Sequence, residues 1–217
     1  MRRFVFFATW LVLGMGTAAA PAWGQSPKVE IVLPAASDLA SDPPSVRTTG
    51  VVVVPHTAEL IRNGFPARLH YKMERWSAGT FVNDVKAMVE WEVIVEYDAL
   101  TTHFRVVRAT DAKAVVLGDY TSLADADEKV AELYRVPISV PKKGDKSYYI
   151  LKLDVEAMSL SDLDEVRRWL NGELRPAVRG RKNPGTAVTS GIRTLFVRIL
   201  GGERVQYEAS TGVFRPR

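Results

Sequence analysis

The stretch formed by residues 84–97 constrains the fold more than any other part of the chain. It reads DVKAMVEWEVIVEY, in which every odd-numbered residue is apolar and most even-numbered residues are charged. A period of two over this length is typical of a β-strand with one face in a core and the other in water. We therefore predict a long strand whose odd face, from Val85 onward, is buried. The side chains predicted to be solvated are Lys86, Glu90, Glu92 and Glu96.

Two neighbouring segments extend this strand into an antiparallel sheet. Residues 67–76 alternate in the same way, and opposite charges on paired strands are stabilising. This criterion favours a register that places Glu74 by Lys86, His70 by Glu90 and Arg68 by Glu92. After the long strand, residues 98–101 form a predicted hairpin loop and residues 102–108 return as a third strand, with His103 beside Glu96.

Further strands are predicted at residues 28–33, 46–54, 114–117 and 147–158, with a possible last strand at 204–214. Short helices are predicted at residues 57–63, after the N-cap Ser122 and after the N-cap Ser161. The pattern is that of an α+β, mainly β protein: an antiparallel β-sandwich built on a long-stranded meander. Two or three short helices would pack on it. An apolar stripe in residues 188–200 predicts a C-terminal amphipathic helix.

The N-terminus has the layout of a secretory signal peptide. Two arginines precede an apolar segment at residues 4–13, and small residues follow up to Gly24. We predict a signal peptide at residues 1–24, the sandwich domain at 25–174, and a basic linker, helix and last strand at 175–217. The alternative for the first segment is an uncleaved anchor, although its apolar run is short for a membrane span. The protein is thus predicted to be periplasmic or extracellular, and it contains no cysteine.

Charge is distributed unevenly along the chain. Residues 25–172 contain 18 Lys and Arg against 22 Asp and Glu, whereas residues 173–217 contain 9 against 3. This asymmetry indicates an anionic partner for the tail, either an envelope protein or a membrane surface. We predict no nucleic-acid partner. The alternative is that the tail helix only packs on the sheet. The residues proposed to form the interaction surface are Trp76, Arg179, Arg181, Lys182, Arg193 and Arg198.

No catalytic motif occurs in the sequence, so we predict a non-catalytic binding module without metal or cofactor. The two predicted His–Glu pairs lie about 20 Å apart at ~3.3 Å per residue, too far to share one ion. A hydrolase is a less favoured alternative, and it would require a buried pair of carboxylates. Another alternative is a carrier that encloses a small apolar ligand, for which the candidate lining residues are Trp91, Trp169, Tyr148 and Tyr149.

The run EYDALTTHFRV at residues 96–106, preceded by Leu60, Ile61, Gly64 and Pro66, resembles a family of secreted bacterial proteins called domain of unknown function 4390. In that family a strand ends in a Tyr, a Leu-Thr turn follows, and an aromatic-Arg-Val strand returns. The likeness spans residues 46–174. The resemblance implies an envelope protein without known enzymatic activity, sometimes encoded beside a sensor kinase, and it assigns no functional residues.

Overall fold

The computed structural model describes residues 26–79, 82–158, 164, 167–168, 171 and 205–217. In this part of the chain two antiparallel sheets pack against each other as a mainly β sandwich, as predicted. The strands are β1 (Lys28–Val32), β2 (Ser45–Thr49), β3 (Ala67–Ser77), β4 (Asp84–Asp98), β5 (His103–Ala109), β6 (Ala114–Tyr120), β7 (Tyr134–Arg135), β8 (Ser147–Ala157) and β9 (Val205–Ser210). The helices are α1 (Pro55–Arg62) and α2 (Leu123–Val130).

The smaller sheet has the strand order β1-β2-β7, and the larger sheet has the order β6-β5-β4-β3-β8-β9. Strands β3 to β6 are consecutive neighbours, which confirms the predicted meander. The strand predicted for residues 84–97 is β4, and its Trp91, Val93 and Val95 are buried in the core between the sheets. Because side chains alternate along a strand, the other face of β4 points away from this core. We call the core-facing side of the larger sheet its inner face and the other side its outer face.

The predicted register between β3 and β4 was wrong by two residues. His70 lies opposite Glu92 instead of Glu90, Arg68 lies opposite Ile94, and Glu74 lies opposite Met88. The physical reason is that β3 is a central strand, so its outer-face charges are matched to two neighbours at once. A shift of two residues leaves every side chain on its face, and the face assignment of β3 is therefore correct.

A β-bulge separates the two ends of the β3–β4 pair. Arg75 lies opposite Ala87 and Trp76 lies opposite Val85, so Lys86 is the extra residue. One inserted residue inverts the faces of everything beyond it. Val85 therefore lies on the same side as Trp76 and is 41% exposed, and its predicted place in the core was wrong.

The second hairpin also pairs differently from the prediction. Asp98 lies opposite His103 and Glu96 lies opposite Arg105, so the predicted His103–Glu96 pair was wrong. The Asp98 side chain accepts a hydrogen bond from the backbone N–H of Leu100 at 2.9 Å. This Asx-type turn keeps Asp98 in the strand and shifts the loop by one residue. Thr102, the last residue of the shifted loop, then takes a left-handed conformation, with φ of 57°.

The strand β2 ends at Thr49, earlier than predicted, because Gly50 adopts a positive φ of 71°. The chain then turns into α1, and the Asp127 carboxylate of α2 holds this turn. Its two oxygens accept hydrogen bonds from the backbone N–H groups of Gly50 at 2.9 Å and Val52 at 3.0 Å. A contact between residues 77 positions apart thus decides where a valine-rich strand stops.

Helix α2 begins as predicted, since the Ser122 hydroxyl oxygen accepts a hydrogen bond from the N–H of Asp125 at 3.1 Å. It ends at Val130. Leu133 is 50% exposed, and Tyr134 belongs to β7.

The predicted last strand exists as β9, which pairs with β8 at the edge of the larger sheet. The helix predicted after Ser161 is described only at residues 164, 167 and 168, which are helical. The predicted signal peptide at residues 1–24 and the predicted C-terminal helix at 188–200 lie outside the described residues.

Candidate functional site

The outer face of the larger sheet carries buried charges. Glu92 and Glu96, predicted to be solvated, are 4% and 3% exposed, so this prediction was wrong. The reason is that the middle of the outer face is covered. Ile94, Val107 and Met158 form a second apolar cluster apart from the main core. A central strand has long side chains on both sides, and alternation by itself does not reveal whether its second face is covered.

Ion pairs between neighbouring strands compensate these charges. Arg68 of β3 forms a salt bridge with Glu156 of β8, and their side chains are 9% and 11% exposed. The Nδ1 atom of His70 lies 3.1 Å from Oε1 of Glu92, and its Nε2 atom lies 4.0 Å from Oε2 of Glu90. On its other side, His70 is paired in the sheet with Asp154 of β8. An imidazole thus stands between acidic residues of two neighbouring strands.

The Glu96 carboxylate is paired with two arginines. Arg167 donates a hydrogen bond to Oε2 of Glu96 at 3.1 Å, and the guanidinium of Arg105 lies 3.8 Å from Oε1. Arg105 also donates to Asp119 at 2.8 Å, and this hydrogen bond raises the pKa of the arginine. The contact with Glu96 places Arg167, which follows β8 in the chain, against the outer face.

The buried carboxylates bear on the hydrolase alternative, which required such a pair. Glu92 and Asp154 are buried on the two strands that flank His70, so the structure does not remove this alternative. Oε2 of Glu92 has no hydrogen-bond partner among the described residues. No group of three or more His, Cys, Asp and Glu that could hold a metal ion occurs in that part of the chain. The hydrolase and the non-catalytic module both stay predictions.

The inner face holds an aromatic cluster between the two sheets. Tyr71 and Trp91 stack with ring centroids 4.8 Å apart, and Tyr134 lies 5.2 Å from Trp91. The guanidinium of Arg108 sits 4.1 Å above the Tyr134 ring, a cation–π contact. Burial raises the pKa of Tyr71 and lowers that of Arg108. Trp91 is therefore a core residue, and the carrier alternative stays a prediction.

The bulged end of the larger sheet exposes apolar side chains on the outer face. Trp76 is half-buried and stacks on Tyr148 with ring centroids 6.1 Å apart. Its Nε1–H donates to Oε2 of Glu74 at 3.0 Å. Nearby Val82 is 76% exposed and Met88 is 50% exposed.

Exposed basic residues lie next to these apolar side chains. Lys142, Lys143 and Lys146 occupy the loop before β8, and the carbonyl oxygen of Lys146 accepts a hydrogen bond from the N–H of Ala78 at 2.9 Å. In the same loop, the N–H of Gly144 donates to the carbonyl oxygen of Pro216 at 2.9 Å. We call this surface the Trp76 end; it comprises Trp76, Val82, Val85, Met88, Tyr148, Lys142, Lys143, Lys146, Arg215 and Arg217.

Of the predicted interaction residues, the structure describes Trp76 alone. Arg179, Arg181, Lys182, Arg193 and Arg198 lie outside the described residues. The sequence interpretation missed the lysines at 142, 143 and 146, although the run KKGDK is a visible signal of exposed charge. Their position beside Trp76 follows from the pairing of β3 with β8, which no local pattern reveals.

Comparison with models of known families, with curated proteins and with solved structures gave no match. The resemblance to domain of unknown function 4390 therefore stays a prediction. Within the described residues, no helix is both long enough and apolar enough to cross a membrane.

Proposed function

We propose that the protein is a non-catalytic interaction module that is exported to the bacterial cell envelope and docks on an anionic partner through the Trp76 end. The signal-like N-terminus and the resemblance to a secreted family support the location. One observation carries the choice of surface: the Trp76 end combines exposed apolar and exposed basic side chains. Patches of this composition are typical of interaction sites.

The rest of the outer face is less suited to attract a charged partner. Its arginines face carboxylates, as Arg68 faces Glu156 and Arg105 faces Glu96 and Asp119. The electric fields of two paired opposite charges largely cancel at a distance from the pair. Salt screens what remains beyond the Debye length of about 8 Å at physiological salt. The lysines of the loop before β8, in contrast, form no ion pair within residues 26–79, 82–158 and 205–217.

Site-specific photocrosslinking in intact cells tests the docking surface. A photoreactive amino acid replaces Val85 in one variant and Leu100 in another. Val85 lies at the start of β4 and Leu100 just beyond its end, and they are 41% and 96% exposed. We expect a specific envelope adduct, protein or lipid, from position 85 and none from position 100. Equal adducts from both positions, or adducts from position 100 alone, would contradict docking through the Trp76 end.

Export is tested separately by cell fractionation and intact-mass measurement. We expect the accumulated protein to be extracytoplasmic and to begin at Gln25, since removal of residues 1–24 leaves that residue first. An unprocessed chain in the membrane fraction would favour the anchor alternative. A cytoplasmic chain would exclude the envelope location.

A hydrolase is the second candidate function, favoured by the buried Glu92 and Asp154 that flank His70. It predicts turnover of chromogenic glycosides or esters by the purified protein, abolished in Glu92→Gln while the substitution leaves the folded state intact. Turnover that persists in this variant, or no turnover at all, would count against this candidate.

A further inference from the structure

The Trp76 end joins three chain segments that lie far apart in the sequence. Trp76 and Val85 pair across the β3–β4 bulge, and Tyr148 stacks on Trp76 from β8. The last residues of the chain reach the same place, because Phe214 bridges to Ser147 and Pro216 binds the loop before β8. Arg215 and Arg217, which flank the buried Pro216, are exposed there.

Basic side chains outnumber acidic ones at this surface. Its described basic side chains are Lys142, Lys143, Lys146, Arg215 and Arg217, and Lys86 lies beside it on β4. The described acidic side chains beside it are Glu74, Asp84 and Asp145, and Glu74 is bound by Lys72 at 2.7 Å and by the indole N–H of Trp76 at 3.0 Å. Asp84 is bound by Lys86 at 2.7 Å, and the Asp145 carboxylate accepts a hydrogen bond from the backbone N–H of Lys142 at 3.3 Å. The other basic groups are exposed and form no ion pair with another described residue.

The apolar part of the surface lies in the midst of these charges. Val82, Val85 and Met88 are exposed by 76%, 41% and 50%. Trp76 and Tyr148 are half-buried, and amphipathic aromatic side chains of this kind favour the boundary between hydrocarbon and water. The bulge creates this arrangement, since it turns Val85 from the inner to the outer face.

The chemistry of this surface matches an anionic lipid surface better than an acidic protein segment. Its cations come from separate loops, which suits a surface of diffuse negative charge, whereas an acidic protein would need matched positions. Val82 lies between β3 and β4 and Val85 lies at a strand end, where their side chains can enter the headgroup region without a groove. Apolar insertion and attraction of cations to anionic lipid are the two contributions that bind peripheral proteins to membranes.

We propose that the Trp76 end docks on a membrane surface that carries anionic phospholipid. This inference rests on the proposed function and specifies the partner of the same surface. The side chains at the tip of the sheet enter the interface, and the lysines of the loop before β8 and the arginines around Pro216 contact the phosphate groups. The smaller sheet and Leu100, which lies beyond the opposite end of β4, stay away from the membrane.

Vesicle co-sedimentation tests the proposal with the full chain in the form that its own cells accumulate. The probes are vesicles of equal parts phosphatidylglycerol and phosphatidylcholine, and vesicles of phosphatidylcholine alone, at about 0.15 M salt. We expect binding to the first and little binding to the second. We also expect the binding to weaken steeply as salt rises, because the electrostatic part is screened.

A charge-matched pair of variants locates the site. The first combines Lys142→Gln, Lys143→Gln and Lys146→Gln at the Trp76 end. The control combines Lys28→Gln, Arg62→Gln and Lys113→Gln, which are exposed and lie elsewhere. Three lost cations should weaken vesicle binding by roughly 100-fold, since each contributes about fivefold near an anionic surface. The control should change it by no more than a few-fold, and thermal unfolding confirms that both variants fold.

The outcomes separate this inference from the proposed function. If the wild-type protein fails to bind anionic vesicles, or if the control loses as much binding as the first variant, membrane docking is overturned. Should position 85 still crosslink to one envelope protein in cells, the proposed function survives with a protein as its partner. Failure of vesicle binding together with failure of crosslinking at position 85 overturns both.

Discussion

Replacement of Arg68 by alanine tests the most unexpected feature of the fold, the buried charge on the outer face. Arg68 and Glu156 are 9% and 11% exposed and bridge two central strands of the larger sheet. Removal of the arginine leaves the Glu156 carboxylate without this ion-pair partner at a site that is largely buried from water. A buried charge without its partner is costly, because the protein interior replaces little of the lost hydration.

The expected loss of stability is large for a single substitution. Breaking a buried ion pair from one side costs about 3–5 kcal/mol. A free-energy change of 1 kcal/mol shifts Tm by about 2–4 °C in a chain of 150–250 residues, so we expect a Tm lower by roughly 6–20 °C. The double variant Arg68→Met with Glu156→Leu removes both charges, and it should come within about 1 kcal/mol of the wild type or exceed it.

Equilibrium unfolding in urea measures these differences, with tryptophan fluorescence and circular dichroism as two probes of the same transition. The matched control is Arg135→Ala, which breaks a salt bridge with Asp42 whose side chains are 62% and 46% exposed. This exposed pair should contribute less than about 1 kcal/mol. Near-equal effects of Arg68→Ala and Arg135→Ala would refute the claim that the outer face is buried at Arg68.

Three further substitutions, the last with a matched control, probe other parts of the structure. A hydrogen bond from Lys72 lowers the pKa of Glu74, so the ionised form is favoured in the folded state, and its stabilisation is present above the unfolded pKa of about 4.3 and is lost as pH falls. The Tm of Glu74→Gln should therefore fall less than the Tm of the wild type as the pH is lowered from about 6 to 3. An equal fall in Tm for both proteins would contradict this. Asp127→Ala leaves two backbone N–H groups of the β2–α1 turn without their acceptor; it should cost about 1.5–3 kcal/mol in urea unfolding, and an unchanged midpoint would argue against this contact. Leu153→Ala empties a site that is 0% exposed and should cost about 2–5 kcal/mol, whereas Leu100→Ala at a 96% exposed site should stay within about 0.5 kcal/mol; a similar cost at both sites would refute the assignment of the core.

Local patterns predicted the inner face of the sandwich well. Alternation identified Leu69, Trp91 and Val95 as core residues, and the Ser122 cap marked the start of α2. These features depend on contacts within one element or on the simple need to bury an apolar face. The same reasoning failed at Val85, because a bulge inverts the period and leaves no mark in the sequence.

The candidate site was predicted in part only. Trp76 was predicted to belong to the interaction surface, and the structure places it against Tyr148 at a surface that also exposes Val85 and Met88. The lysines beside it were missed, because they belong to a loop that reaches Trp76 only when β8 pairs with β3. The predicted basic residues from Arg179 to Arg198 lie outside the described residues and stay a prediction.

The sequence by itself determined that one face of each long strand is apolar and must be buried, since that demand is local and repeats every second residue. Only the tertiary structure decided the register and the burial of the second face. His70 faces acidic residues on both neighbouring strands, Glu92 and Glu96 are buried on the outer face, and Glu96 is contacted by Arg167 from beyond β8. Pairing energies are shared among several strands, so no single pair of segments contains the information that selects them.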